Sequence, residues 1–115
     1  MENHFKNTRA LAQRTIEAQR MLFRYPYRLP VIIECGDPKM EALKNVEYLV
    51  PKELTIGQLL YVIRRRVKLE STQSIFLFIR NTLPPVSHTL SDVYQMYRDV
   101  DGFLYCQYRS ENTFG

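Results

Sequence analysis

The sequence predicts an α+β domain: a small sheet crossed by one long helix, with more helical structure at the N-terminus. Three observations carry this. Runs rich in β-branched and aromatic residues, such as LPVIIEC and SIFLFIR, alternate with stretches of helical periodicity. Two of those helical stretches open on a capping threonine, Thr55 and Thr89. The chain has 115 residues, 45% of them hydrophobic, which suits one domain with its own core.

Residues 8–24 (TRALAQRTIEAQRMLFR) hold no Gly or Pro and are rich in helix formers. At about 100° per residue, Arg9, Gln13, Glu17, Arg20 and Arg24 share a polar face. Leu11, Ala18, Met21 and Leu22, with Ala12, Ile16 and Phe23, cover the remainder. One amphipathic helix docked on the body is expected, stopping at YPYRLP, where Pro26 and Pro30 disfavour helix. Residues 29–35 read as a buried strand and GDPKMEALKN as a polar connection. EYLVP (47–51) is a short strand closed by Pro51; paired with the first, it makes a hairpin whose second strand has the marks of a sheet edge.

Thr55 and Gln58 form a capping box, followed by Ile56, Leu59, Leu60, Ile63 and Val67 at helical spacing. Arg64, Arg65, Arg66 and Lys68 gather where the helix dipole favours cations. SIFLFIR (74–80) is another buried strand, NTLPPVSH a loop, and TLSDVYQMY (89–97) a short helix with Leu90, Val93, Tyr94 and Tyr97 inward. In GFLYCQYR (102–109), alternation sets Phe103, Tyr105 and Gln107 against Leu104, Cys106 and Tyr108. Helix, strand, strand, helix, strand, helix, strand is the order of a ubiquitin-like β-grasp with an N-terminal helical extension. The expected divisions are an extension over 1–25, a core over 26–109 and a flexible tail over 110–115.

Composition narrows the chemistry. Two cysteines imply no disulfide framework and suit a reduced, cytoplasmic setting. No apolar run is long enough to span a bilayer. The net charge of +4 lies wholly in residues 1–30, which carry six basic and two acidic side chains. Cys35 and Cys106 fall inside predicted strands, where a thiol packs rather than reacts. His4 and His88 are isolated, so neither a zinc site nor a Cys–His pair is indicated, and no glycine loop cradles phosphate. The sequence therefore points to no enzyme, metal or cofactor. RRRVK beside aromatics is a weak nucleic-acid signal, because those aromatics fall on core positions. The EYLVP edge is the other binding feature: it offers unpaired backbone groups to an incoming extended peptide, unless Pro51 serves only to keep the edge short.

Several segments also resemble one family. RYPYRLPVIIE is similar to the K-Y-P-x-R-[VI]-P-V-I-[VC]-E stretch of the autophagy ubiquitin-like modifiers, the group containing the GABA-receptor-associated protein and the microtubule-associated light chain. YLVPKELTIGQLLYVIRRRVKL and IFLFIRNTLPPVSHTLSDVYQMYRDVDGFLYCQY resemble their following segments in order, and Phe114-Gly115 resembles their aromatic-glycine end. The likeness covers about residues 11–115.

The resemblance implies a non-enzymatic modifier. Gly115 would be exposed by a cysteine protease, activated by an adenylating enzyme, passed to a conjugating enzyme and joined to phosphatidylethanolamine on autophagosomal membranes. A sister modifier joined to a protein lysine and an unconjugated peptide-binding module are the alternatives. The resemblance also implies that receptors with aromatic-x-x-aliphatic motifs add as a strand beside Tyr48–Pro51. One pocket maps onto Glu17, Met21, Pro30, Leu49 and Phe103. The second maps onto Tyr48, Val50, Pro51, Leu54, Leu59 and Val62, with Arg28 and Arg66 as basic flanks. No nucleic acid partner is implied. Two departures stand out. Asn45, Val46 and Glu47 replace lysines common before Y-L-V-P, and TRALAQR lacks the proline-phenylalanine that usually starts the second helix.

Overall fold

A computed structural model of the chain describes residues 4–70 and 72–110. The elements are α1 (His4–Asn7), α2 (Leu11–Arg24), β1 (Arg28–Cys35), β2 (Glu47–Pro51), α3 (Ile56–Arg66), β3 (Phe76–Phe78), α4 (Leu90–Tyr97) and β4 (Leu104–Arg109). They build one mixed sheet of order β2-β1-β4-β3. β1 runs parallel to β4 and antiparallel to β2, and β3 runs antiparallel to β4.

Both faces of the sheet are covered, which explains why β1 is almost continuously apolar. Leu29, Val31 and Ile33 of β1, Val50 of β2 and Leu104, Cys106 and Tyr108 of β4 pack against Ile56, Leu59 and Ile63 of α3 and Leu90 and Val93 of α4. Ile32 and Phe103 point the other way, to Ala18 of α2 and Phe5 of α1. Phe5 and Phe103 meet edge to face at 5.3 Å.

The helix expected over 8–24 is α2, which begins three residues later, and a separate short helix, α1, precedes it. Thr8 closes α1 by donating from its backbone N–H to His4 O (3.1 Å) and from Oγ1 to His4 O (3.0 Å). Ala10 is then extended, with ψ 149°, before α2 begins. The buried stripe of α2 is also narrower than expected. Leu11, Ile16 and Phe23 are exposed, whereas Arg14 is buried, because its guanidinium pairs with Asp101 at 2.8 Å. Asp101 further accepts from the Tyr105 hydroxyl and the Phe103 N–H. Gly102 follows with φ 93°, and a Cβ there would sit 3.0 Å from Ala18 Cβ, so glycine permits both the turn and the close approach of α2.

Both capping boxes form, Thr55 with Gln58 and Thr89 with Asp92. The α3 helix ends at Arg66, just before Lys68 turns left-handed at φ 54°. β3 is shorter than the expected 74–80. Arg80 and Asn81 have φ 50° and 61°, and Ile79 and Thr82 exchange two backbone hydrogen bonds of 2.9 Å across them. That is a two-residue turn of the primed kind, hidden in what reads as a loop. The connection after β1 is pinned by Tyr108, whose hydroxyl donates to Glu41 O and accepts from Leu43 N–H. Burial pushes the thiol of core Cys106 up, which suits packing rather than nucleophilic chemistry. Among the described residues, no three His, Cys, Asp or Glu side chains cluster to hold a metal, and no helix is long and apolar enough to cross a membrane.

Candidate functional site

β2 is one of the two edges of the sheet, β3 being the other, and among the described residues no strand lies beyond β2. Its register with β1 decides which backbone groups are available. Ile33 N–H donates to Val46 O (2.9 Å) and Lys52 N–H to Tyr27 O (3.2 Å), so Val31↔Tyr48 and Leu29↔Val50 are the hydrogen-bonded pairs between them. Alternation leaves Pro30↔Leu49 and Ile32↔Glu47 as non-hydrogen-bonded pairs. The N–H and C=O groups of Glu47 and Leu49 therefore face outward. Pro51 has no N–H to present, which bounds the edge. Arg28 Nη1 donates to Leu49 O at 3.3 Å. An added strand would displace that guanidinium.

On the α3 face of this edge lies a cavity of about 280 Å³. Tyr48, Val50, Pro51, Leu54, Leu59 and Val62, the six residues assigned to the second pocket, all line it, together with Arg66. Leu59 is also part of the core, only 4% exposed, and Leu54 packs on that core, so both serve as structure and as lining. Leu49, assigned to the first pocket, reaches this cavity too. The Tyr48 ring is fixed by its hydroxyl, which donates to Asn45 O (2.7 Å), and Arg66 stands 5.9 Å over its face. Burial raises the Tyr48 pKa against the opposing pull of Arg66.

The first-pocket residues occupy the α2 face. Pro30 lies opposite Leu49 in the ladder, and Met21 packs half-buried on the cluster of Phe5, Ala18, Ile32 and Phe103. Phe103 itself is wholly buried, so it is a floor rather than a wall. Glu17 joins a charge cluster not legible from residue spacing: Arg9 Nη1 donates to Glu17 Oε2 (3.1 Å) and to Glu47 Oε1 (2.9 Å). Burial first, and then Glu17, push Glu47 up to about 7, against Arg9. Sequence reasoning also missed Ile33, Leu43 and Ile63 in the cavity wall. The parity of β1 and the α3 spacing offered a signal for Ile33 and Ile63. Leu43 sits in a connection read as polar and offered none. A second depression, of about 210 Å³, lies near β3 and β4 and includes the Lys6–Asp99 ion pair. Phe114 and Gly115 lie outside the described residues.

Comparison with known proteins adds to this geometry. A sequence model of the family described as "Autophagy protein Atg8 ubiquitin like" matches residues 13–115. The chain is 45% identical over 115 residues to autophagy-related protein 8b of Arabidopsis thaliana, covering 99% of this chain and 94% of that one. It is 44% identical over 116 residues to autophagy-related protein 8 of Schizosaccharomyces pombe, covering 100% and 96%. The crystal structure of Trypanosoma brucei ATG8 superposes with a TM-score of 0.91 at 36% identity, covering both chains fully. The fold is the ubiquitin-like Atg8 fold, and the chain belongs to the Atg8 family of ubiquitin-like autophagy proteins.

Proposed function

We propose that this chain is a non-enzymatic autophagy modifier, joined through the carboxyl group of Gly115 to phosphatidylethanolamine. On autophagosomal membranes it recruits receptors through the β2 edge. Its partners are an activating enzyme, a conjugating enzyme, a processing and deconjugating cysteine protease, and receptors with aromatic-x-x-aliphatic motifs. Its unattached form is cytoplasmic.

The observation that carries the recruiting half is the outward-facing Glu47 and Leu49 backbone with apolar lining on both faces of the strand. In an extended peptide, side chains three residues apart point to opposite faces. An aromatic-x-x-aliphatic motif paired with β2 thus sends one anchor toward Met21 and Pro30 and the other into the cavity of Tyr48, Val50 and Leu54. Main-chain bonds supply affinity and the two anchors supply selectivity. Glycine suits the conjugating half because it has no Cβ to obstruct attack at its carbonyl. A six-residue stretch can span at most about 20 Å, a reach that would let enzymes engage the end without unfolding the domain.

Calorimetry with a motif peptide tests the groove. Replacing Tyr48 and Leu49 together with alanine is expected to weaken binding at least about tenfold, the loss of ~1.4 kcal/mol. Equal affinity for variant and parent would remove the assignment. Reconstitution with the two enzymes, ATP and phosphatidylethanolamine vesicles tests the conjugation. Attachment to a protein lysine instead, or none at all, would replace this reading with a sister modifier or an unconjugated binding module.

A further inference from the structure

Helix α2 has a second face that the fold does not use. Arg14 and Ala18 mark its buried side. At about 100° per residue, Ile16, Arg20 and Phe23 form the ridge directly opposite. Ile16 is 51% exposed and Phe23 91%. Tyr27, in the turn that follows the helix, is 83% exposed. Isolated exposed apolar residues are ordinary, but a half-exposed aliphatic and two nearly bare aromatics along the outer side of one helix and its following turn are not.

The charges among them have one sign. Arg20, Arg24 and Arg28 punctuate this stretch, and no acidic residue occurs between Glu17 and Glu34. Glu17 is engaged by Arg9, and Glu34 is buried, accepting from the Phe5 N–H. Among the described residues no salt bridge involves Arg20 or Arg24.

We propose that this ridge, Ile16, Phe23 and Tyr27 set among Arg20, Arg24 and Arg28, is a docking surface for an anionic lipid bilayer. Aromatic rings settle at the headgroup boundary, while arginine stems run along apolar surface and carry their charge to phosphate. An aliphatic Ile16 beside the rings suits acyl chains better than nucleobases, which select stacking planes. A second copy is disfavoured, because a two-fold contact would set three arginines against three. The surface is separate from the conjugation tail. It adjoins the Arg28 end of β1, whereas β4 leaves the sheet beside Cys35, about 23 Å away along the strand.

The experiment is co-sedimentation of the unconjugated full chain with two kinds of vesicle, phosphatidylcholine alone and phosphatidylcholine with phosphatidylserine. Binding is expected to the acidic vesicles only, and to fall with added salt. Phe23→Ser with Tyr27→Ser should abolish it; both sites are exposed, so the fold is retained, which circular dichroism checks. Each of Arg20→Gln and Arg24→Gln should lower the affinity about fivefold. No sedimentation with acidic vesicles would overturn the proposal, as would binding that the aromatic variant leaves unchanged. A dimer in sedimentation velocity that the same substitutions dissolve would also overturn it, assigning the ridge to a second copy. None of these results depends on conjugation, and the substituted residues belong to neither groove pocket; Arg28, which also flanks the groove, is left in place.

Discussion

At Glu47 a single carboxyl group is both a strand residue on the open edge and a member of a crowded ion cluster. Two carboxylates, Glu17 and Glu47, share one arginine nitrogen, so the cluster is one positive charge short. Glu47 accordingly holds its proton up to about pH 7, above its ordinary 4.5. A carboxyl whose folded pKa exceeds its unfolded one binds the proton more tightly when folded. The stability this contributes is present below about pH 4.5 and lost as pH rises through about 7. Glu47→Gln should therefore have the higher Tm at about pH 8, and the advantage should close below about pH 4.5. Thermal unfolding across that range checks it; a variant less stable at high pH would show that the Arg9 ion pair outweighs the crowding. The sign of charge at this position was legible from the sequence. Its partners were not, because Arg9 and Glu17 lie far from Glu47 in the chain and meet it only when α2 packs on the sheet.

At the scale of elements, the helices are positioned by a few polar devices. The Thr55 box fixes the start of α3, and with it Leu59 and Val62 in the cavity wall. Thr55→Ala should cost about 1 kcal/mol in denaturant unfolding and weaken motif binding only slightly. The Arg14–Asp101 pair fixes α2 against the turn before β4 and is almost fully buried. Asp101→Asn leaves a buried guanidinium without its counter-charge and should cost about 3 kcal/mol. A loss under about 1 kcal/mol would mean that Tyr105 and solvent suffice to hold Arg14. These elements differ in how plainly the sequence declared them. Strands β1, β2 and β4, and both capped helices, follow from periodicity and caps that act within a few residues. The break at Thr8–Ala10 and the primed turn at Arg80-Asn81 do not, since neither contains Gly, Pro or Asn-Gly. Arg14 looked like a solvated residue on a helix and was reassigned by a carboxylate 87 positions away. Of the groove, the six cavity residues were named through the family resemblance. Spacing alone left Leu54 and Leu59 open between core and lining, and the fold makes them both.

Across the whole molecule, the proposed groove and the ridge share α2, whereas the proposed conjugation tail follows β4. The groove lies on the β2 edge, the aromatic-basic ridge on the outer side of α2, and the tail leaves from β4. Its root is fixed: Ser110, the last described residue, bonds to Asp37 through Oγ and N–H, and these bonds lower the Asp37 pKa. Groove substitutions should therefore leave conjugation intact, and tail substitutions should leave motif affinity intact. Conjugation through Gly115 is read most directly from the intact mass of the chain after incubation with activating enzyme, conjugating enzyme, ATP and phosphatidylethanolamine vesicles. The expected result is a gain of one phospholipid minus water, localised by fragmentation to Gly115 and reduced or lost in Gly115→Ala. An unchanged mass under conditions that conjugate an Atg8 relative, or a lipid adduct that Gly115→Ala forms undiminished, would contradict it.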